Sequence, residues 1–221
     1  MEDSNLSEYK DIIDVISNTI HRKVKSRGFT SPDFTIPIEV SSRHVHVTRD
    51  TLDVLFGKGY ELTKLKDLSQ PGEFAAHEQI SIIGSSMRVL ERVRILGPIR
   101  KYTQAELSIT DGYFLGLDLP TRISGNLEGT PPITIIGPKG TLSLKQGAIR
   151  AARHIHMTPE DAILFKVKVN ERVNVEINNE HGVIYKDVII RISSNYRLMF
   201  HLDTDEGNAG NIKGTGFARI V

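Results

Sequence analysis

Apolar residues along the first 27 positions recur at three- and four-residue steps: Leu6, Tyr9, Ile13, Ile16, Ile20 and Val24. That spacing predicts one stripe of an amphipathic helix. Asn5 followed by Glu8 has capping-box spacing, and Gly28 is a C-terminal stop. Two readings of this helix stand: it packs on the body of the protein, or it docks into a partner's groove.

From Phe34 onward the period shortens. Alternating or β-branched runs occupy 36–40, 80–83, 102–109, 133–136, 166–176 and 183–192. Turn signals separate them, among them Pro71-Gly72, Gly97-Pro98, Pro131-Pro132 and Gly137-Pro138. Many short strands broken by such turns predict a mainly β fold, a barrel or sandwich with few helices. Two octapeptides repeat at an offset of 110 residues: Arg-His-Val-His-Val-Thr-Arg-Asp at 43–50 and Arg-His-Ile-His-Met-Thr-Pro-Glu at 153–160. Each runs into a short helical stretch, 49–56 and 159–165, with Thr48 or Thr158 as N-cap. The expected architecture is two small similar β-barrel domains with short helices, after an N-terminal amphipathic helix at 1–30. The first domain spans 33–147 and the second 148–221.

Composition narrows the chemistry. With 221 residues, 39% hydrophobic and 25% charged, the chain can bury a substantial core. A net charge of +1 argues against nucleic acid as a partner. No run approaches 18 apolar residues and no secretory signal opens the chain, so a soluble, cytoplasmic protein without membrane contact is expected. There are no cysteines, so any transition-metal site must use His, Asp and Glu.

The repeated His-x-His is a candidate source of such ligands, against the alternative of the polar outer face of an edge strand, and its two copies in equivalent repeats favour the metal reading. On a strand, His44 and His46 share one face, and His154 and His156 share another. Two imidazoles on one face can grip one metal, and imidazole suits zinc. His201 ends the apolar run Leu198-Met199-Phe200 before Asp203, Asp205 and Glu206, either as a third ligand or as a loop histidine. His21, His77 and His181 receive no chemistry. Around residue 104 an extended chain places Tyr102, Gln104 and Glu106 on one face. Glu106 is a candidate ligand and Arg100 a candidate anion fork, against the alternative of a surface carboxylate and a solvated arginine. Six extended residues span about 20 Å, so Arg100 and Glu106 share a small site only if the chain bends between them.

These segments resemble the phosphate propanoyltransferase family, the phosphotransacylases of propanediol-degrading bacterial microcompartments. The likeness runs from Ile36 to Val221. It is carried by Ser42-Arg-His-Val-His-Val47, Leu68-Ser-Gln-Pro-Gly72, Gly97-Pro-Ile-Arg100, Thr103-Gln-Ala-Glu106, Ala152-Arg-His-Ile-His-Met157 and His201-Leu-Asp-Thr-Asp-Glu-Gly-Asn208. The resemblance implies two zinc ions per chain, one held by His44, His46 and Glu106, the other by His154, His156 and His201. It implies Arg100 facing the reacting group, and Lys66, Arg94 and Asn208 touching coenzyme A. The strand at 36–47 is expected to cross between the barrels. Glu73, His77, Gly207 and Ser42 depart from the family's usual residues and bear on substrate preference.

The implied reaction exchanges a propanoyl or acetyl group between coenzyme A and inorganic phosphate. A dinuclear zinc thioester or ester hydrolase, and a non-catalytic zinc-stabilised cargo or scaffold protein, are the alternatives. Microcompartment shell or cargo proteins are candidate partners for residues 5–27.

Overall fold

The computed structural model describes residues 34–221, so the predicted N-terminal helix and its docking stripe lie outside the described residues. The rest is strand-rich. In chain order the elements are β1 (Ile36–Ser41), β2 (His44–His46), α1 (Arg49–Phe56), β3 (Lys64–Asp67), β4 (Phe74–Ile83), β5 (Val89–Gly97), β6 (Gln104–Glu106) and α2 (Ile109–Leu115). There follow β7 (Thr121–Arg122), β8 (Ile133–Ile136), β9 (Thr141–Leu144), β10 (Ala148–Ala151), β11 (His154–Met157) and α3 (Pro159–Phe165). The chain ends with β12 (Arg172–Ile177), β13 (Ile184–Ile192), β14 (Met199–Asp203), α4 (Thr204–Ala209) and β15 (Gly216–Ile220).

Six strands close into a barrel in the order β1-β14-β11-β13-β12-β15. The other nine form one sheet ordered β7-β10-β6-β2-β5-β4-β8-β9, with β3 added against β4. Each unit has its own apolar core. One gathers Val45, Val47, Leu52, Ile82, Val93, Ile95 and Leu107, and the other gathers Ile36, Ile38, Ile155, Met157, Val175, Ile190 and Phe200.

The 110-residue sequence repeat is a repeat of strand pairing. β2 pairs parallel with β5 and antiparallel with β6. β11 does the same with β13 and β14. The strand preceding each His-x-His does not stay with its own half. β1 lies parallel to β14 and antiparallel to β15, so it is the strand that closes the barrel built from the C-terminal half. β10, which precedes β11, inserts between β6 and β7 of the N-terminal half. Backbone hydrogen bonds fix that insertion: the Ala105 amide donates to Gly147 at 2.7 Å and the Ala152 amide to Arg122 at 2.8 Å.

The helices start where their caps stand. Thr48 and Thr158 cap α1 and α3 as the sequence predicts, each accepting from a first-turn amide. Two helices differ from expectation. Residues 102–109 are not one strand: only 104–106 pair, and Ile109 opens α2 behind a Ser108/Asp111 capping box. The acidic segment after His201 is not a loop, because Asp203 and Glu206 form a capping box that starts α4, with His201 inside β14. The run at 166–176 also shortens: Lys166 ends α3 in the left-handed region at φ 55°, and pairing resumes at Arg172. α4 packs against the exchanged strand where Gly207 meets Val40. A Cβ at Gly207 would stand 2.7 Å from a Val40 methyl, too close without movement.

The exchange makes each half depend on the other. A fragment ending at 147 leaves β6 without β10 and exposes Ile36 and Ile38, while one beginning at 148 lacks its closing strand beside Phe200 and Ala218. Separately expressed 34–147 and 148–221 are expected to show no cooperative melting by circular dichroism, and mixing them is expected to restore it. Two independent cooperative transitions would contradict this.

Candidate active site

Register brings the ligand groups together. In the β2–β6 pair, His44 stands opposite Glu106 and His46 opposite Gln104. In the β11–β14 pair, His154 stands opposite His201. Directly opposed residues have side chains on the same face, so each pairing delivers a third candidate ligand to its His-x-His. The His44 and His46 Nε2 atoms lie 3.5 and 3.7 Å from the Glu106 carboxylate. The imidazoles of His154, His156 and His201 have ring centres 4.6–5.0 Å apart. Both triads keep their ligand atoms within 4.8 Å of one another and could each hold a metal ion.

The clusters adjoin. A void of about 30 Å³ is lined by His44 and Glu106 from one and His154 and His201 from the other. Its wall includes Asp203, whose Oδ2 is buried without a partner. Both clusters open on a cavity of about 500 Å³ between the nine-stranded sheet and the barrel.

The orientation of the first histidines is set by the backbone. His44 Nδ1 lies 2.8 Å from the Ser42 carbonyl, and His154 Nδ1 lies 2.8 Å from the Ala152 carbonyl. A carbonyl only accepts, so each Nδ1 donates its proton and its Nε2 is turned toward its cluster. His201 Nδ1 lies 3.3 Å from Glu39, its opposite number on β1, which Ser69 also contacts. Other ring nitrogens are buried with no hydrogen-bond partner: Nδ1 of His46 and both nitrogens of His156. A bound cation would satisfy one nitrogen of a ring such as His156, since each imidazole offers one ligand atom.

Burial also controls protonation. It lowers His46 to about 3, helped by neighbouring His44, and lowers His154 to about 4. His156 and His201 are lowered too, first by burial, then by adjacent imidazoles and Arg191. For Glu106, burial alone raises the carboxyl, but His44, His46 and a Ser124 hydrogen bond outweigh it and leave it lowered. His46, His154, His156 and His201 are thus held toward neutral imidazole and Glu106 toward carboxylate, the protonation states that metal ligation requires.

Arg100 and Glu106 line the same cavity because the chain bends between them, leaving the extended conformation over residues 98–103. The Arg100 amide donates to Val47 at 2.9 Å, while one guanidinium nitrogen pairs with Glu73 at 2.6 Å and another approaches Tyr102 and Ser124 at 3.4 Å. Lys66, exposed on β3, and Arg94 on β5 also line the cavity, and the Arg94 guanidinium donates to the Ala76 and His77 carbonyls. Asn208 does not join them: it is exposed on α4 and absent from the cavity wall.

Several site residues gave no sequence signal. Ser124 lies in an irregular loop yet accepts from Gln104 at 2.9 Å, and Gln104 in turn donates to Glu106 at 2.6 Å. Tyr196 stacks on His156 with ring centres 4.0 Å apart. Gln70, by contrast, belongs to the Leu68–Gly72 motif that carries the family resemblance, and it contacts both His201 and the Arg197 backbone.

The family model for phosphate propanoyltransferase matches residues 37–213, most of the chain and all of this site. The chain belongs to the phosphate propanoyltransferase family. Relatives bearing that name include one from Lachnoclostridium phytofermentans, 45% identical over 200 residues, which cover 90% of this chain and 93% of the relative. Another, from Thermotoga maritima, is 48% identical, with coverage of 84% and 89%. A third, from Clostridioides difficile, is 43% identical over 96% of this chain and 98% of its own. Membership of the phosphate propanoyltransferase family thus extends over nearly the whole length of these relatives.

The depressed imidazoles predict a pH dependence. Unfolded histidines take up protons as pH falls below about 6.5, whereas native His46 and His154 do not until about 3 and 4. The unfolded state therefore binds more protons across roughly pH 4–6.5, and stability falls with pH there by about 1.4 kcal/mol per pH unit for each such histidine. Asp203, pushed up to about 6 by burial, acts in the opposite sense, one group against four. Urea melts of chelator-treated protein at pH 7, 6 and 5 are expected to show this loss. A flat profile would refute it.

Proposed function

We propose that this chain exchanges a short acyl group, propanoyl or acetyl, between coenzyme A and inorganic phosphate at a paired zinc centre. The observation that carries the reading is the convergence of two three-ligand clusters and Arg100 on one cavity, in a chain of this family. His44, His46 and Glu106 would hold one ion, and His154, His156 and His201 the other. A set of five imidazoles and one carboxylate without thiolate suits zinc, and three protein ligands per ion leave a position for substrate. Bound zinc would supply Lewis acidity for the thioester carbonyl or the departing thiolate.

The chain's own groups account for the rest. A phosphate oxygen attacks the thioester carbonyl carbon, the carbon–sulfur bond breaks, and coenzyme A leaves as thiolate. With no cysteine in the sequence, an acyl-cysteine intermediate is excluded, which favours this direct displacement. Arg100 presents a planar fork to the phosphate and offsets charge on the tetrahedral intermediate. Glu73, Tyr102 and Ser124 hold that fork in place. Gln104 and Ser124 fix the Glu106 carboxylate, and the Ser42 and Ala152 carbonyls fix the ring planes of His44 and His154. Lys66 and Arg94, on the cavity wall, are placed to meet the anionic end of coenzyme A, a role that exposed Asn208 shares only if the ligand reaches beyond the cavity. Residues 5–27 are assigned a docking role toward microcompartment shell or cargo proteins, on the strength of their apolar stripe.

Thiol release from propanoyl-CoA is expected to require phosphate and to stop after chelation. His44→Ala and His154→Ala should each lose bound zinc and activity. Arg100→Ala is expected to lower kcat by about 10²–10³, the range for loss of one charge-stabilising donor. Equal thiol release without phosphate would instead identify a hydrolase, and full activity in metal-free protein would defeat the scheme. Deleting residues 5–27 is expected to leave this activity intact and to abolish co-purification with shell proteins.

A further inference from the structure

A second cavity, of about 620 Å³, lies beside the first and shares Ile123, Ala152 and Ile189 with its wall. Four arginines line it: Arg122 on β7, Arg150 on β10, Arg153 next to β11 and Arg172 on β12. Arg153 is engaged by Glu206 at 2.7 Å. Among the described residues the other three have no carboxylate within ion-pair distance; Arg150 donates to the Thr121 hydroxyl and Arg122 to the Thr121 carbonyl. Exposed Glu128 and Asp187 also line the cavity, so its charge balance is positive by one. Unpaired guanidinium forks on a concave wall of this size suit a phosphoryl group.

The fold says which side of the site this is. In the nine-stranded sheet, His44 and Glu106 sit on β2 and β6, with Arg94 on β5 to one side and Arg122 and Arg150 on β7 and β10 to the other. The repeat relates the two sides. Arg94 stands opposite His44 as Ile189 stands opposite His154. Arg43 pairs with Asp111, the third residue of α2, as Arg153 pairs with Glu206, the third residue of α4. The wall of the arginine cavity thus includes Ile189 and Arg153, the repeat counterparts of Arg94 and Arg43 on the wall of the first cavity.

We propose that this cavity is a second anion site, which receives the phosphoryl group of inorganic phosphate or of the acyl phosphate product, on the flank of the centre opposite Lys66 and Arg94. The inference rests on the acyltransferase reading above. Two substrates then reach one centre from two related flanks, and neither has to leave for the other to enter.

The test uses the full chain with Arg122→Gln and Arg172→Gln combined, since neither residue touches the ligand clusters. Loss of two phosphate-binding forks is expected to raise KM for phosphate, and for acyl phosphate in the reverse direction, by about 10-fold. KM for the coenzyme A ester and kcat should hold. Which of the two KM values rises tells whether the cavity serves entry, exit or both. Unchanged values for both, or a raised KM for the coenzyme A ester instead, overturn the proposal. A second arm needs no activity: millimolar inorganic phosphate should raise the melting temperature of Arg100→Gln protein, and R122Q/R172Q in that background should abolish the rise. A rise that survives all three changes, or none in R100Q, also overturns it. If the unaltered chain shows no phosphate-dependent thiol release, the acyltransferase reading fails while this arm still decides whether the cavity binds phosphate.

Discussion

Cross-strand register is the constraint on which the site depends. His44 faces Glu106 and His154 faces His201 because β2 and β11 pair with β6 and β14 in one alignment. Side chains alternate with a period of two, so a one-residue slip would send both imidazoles of a pair into the apolar core and bring Val45 or Ile155 to the cavity. The cores oppose such a slip. Val45, Val47, Ile155 and Met157 are fully buried on the opposite faces, each worth about 1.5–3 kcal/mol of burial. Packing on one face therefore holds the chemistry on the other.

That arrangement is held at its edges by exchange. β1 leaves its own half to close the barrel, and in doing so carries Glu39 to His201. β10 leaves its own half to pair with β6, beside Glu106. Each cluster is thus buttressed by a strand from the other half. The cavity between the sheet and the barrel has walls that cannot separate without breaking backbone ladders. A rigid, buried setting suits ligands whose imidazoles must stay neutral, because the same burial that depresses their proton affinity keeps their lone pairs available.

The parts of the site differ in how openly the sequence announced them. The His-x-His pairs, the Thr48 and Thr158 caps and the duplication were legible, since each depends on local periodicity or spacing. His201 and Glu106 were legible only as candidates, because their ligand role depends on which strand they oppose. Ser124 and Tyr196 left no trace, for they reach the site from irregular segments remote in sequence from the groups they touch. The expected strand at 102–109 failed for two physical reasons: the bend over 98–103 that brings Arg100 toward the clusters shortens it at one end, and the Ser108/Asp111 capping box that starts α2 ends it at the other.

What the sequence alone determined was a cysteine-free, mainly β chain with a duplicated histidine motif, and so a candidate metal site that could use only imidazole and carboxylate. Residue type and local period suffice for that, because a strand dictates which neighbours share a face. What only the tertiary structure decided was the assembly: two triads placed side by side, one strand exchanged each way, and two cavities on related flanks. Those depend on pairings between residues about 40 to 160 positions apart, whose register is set by the packing of two cores rather than by any local signal.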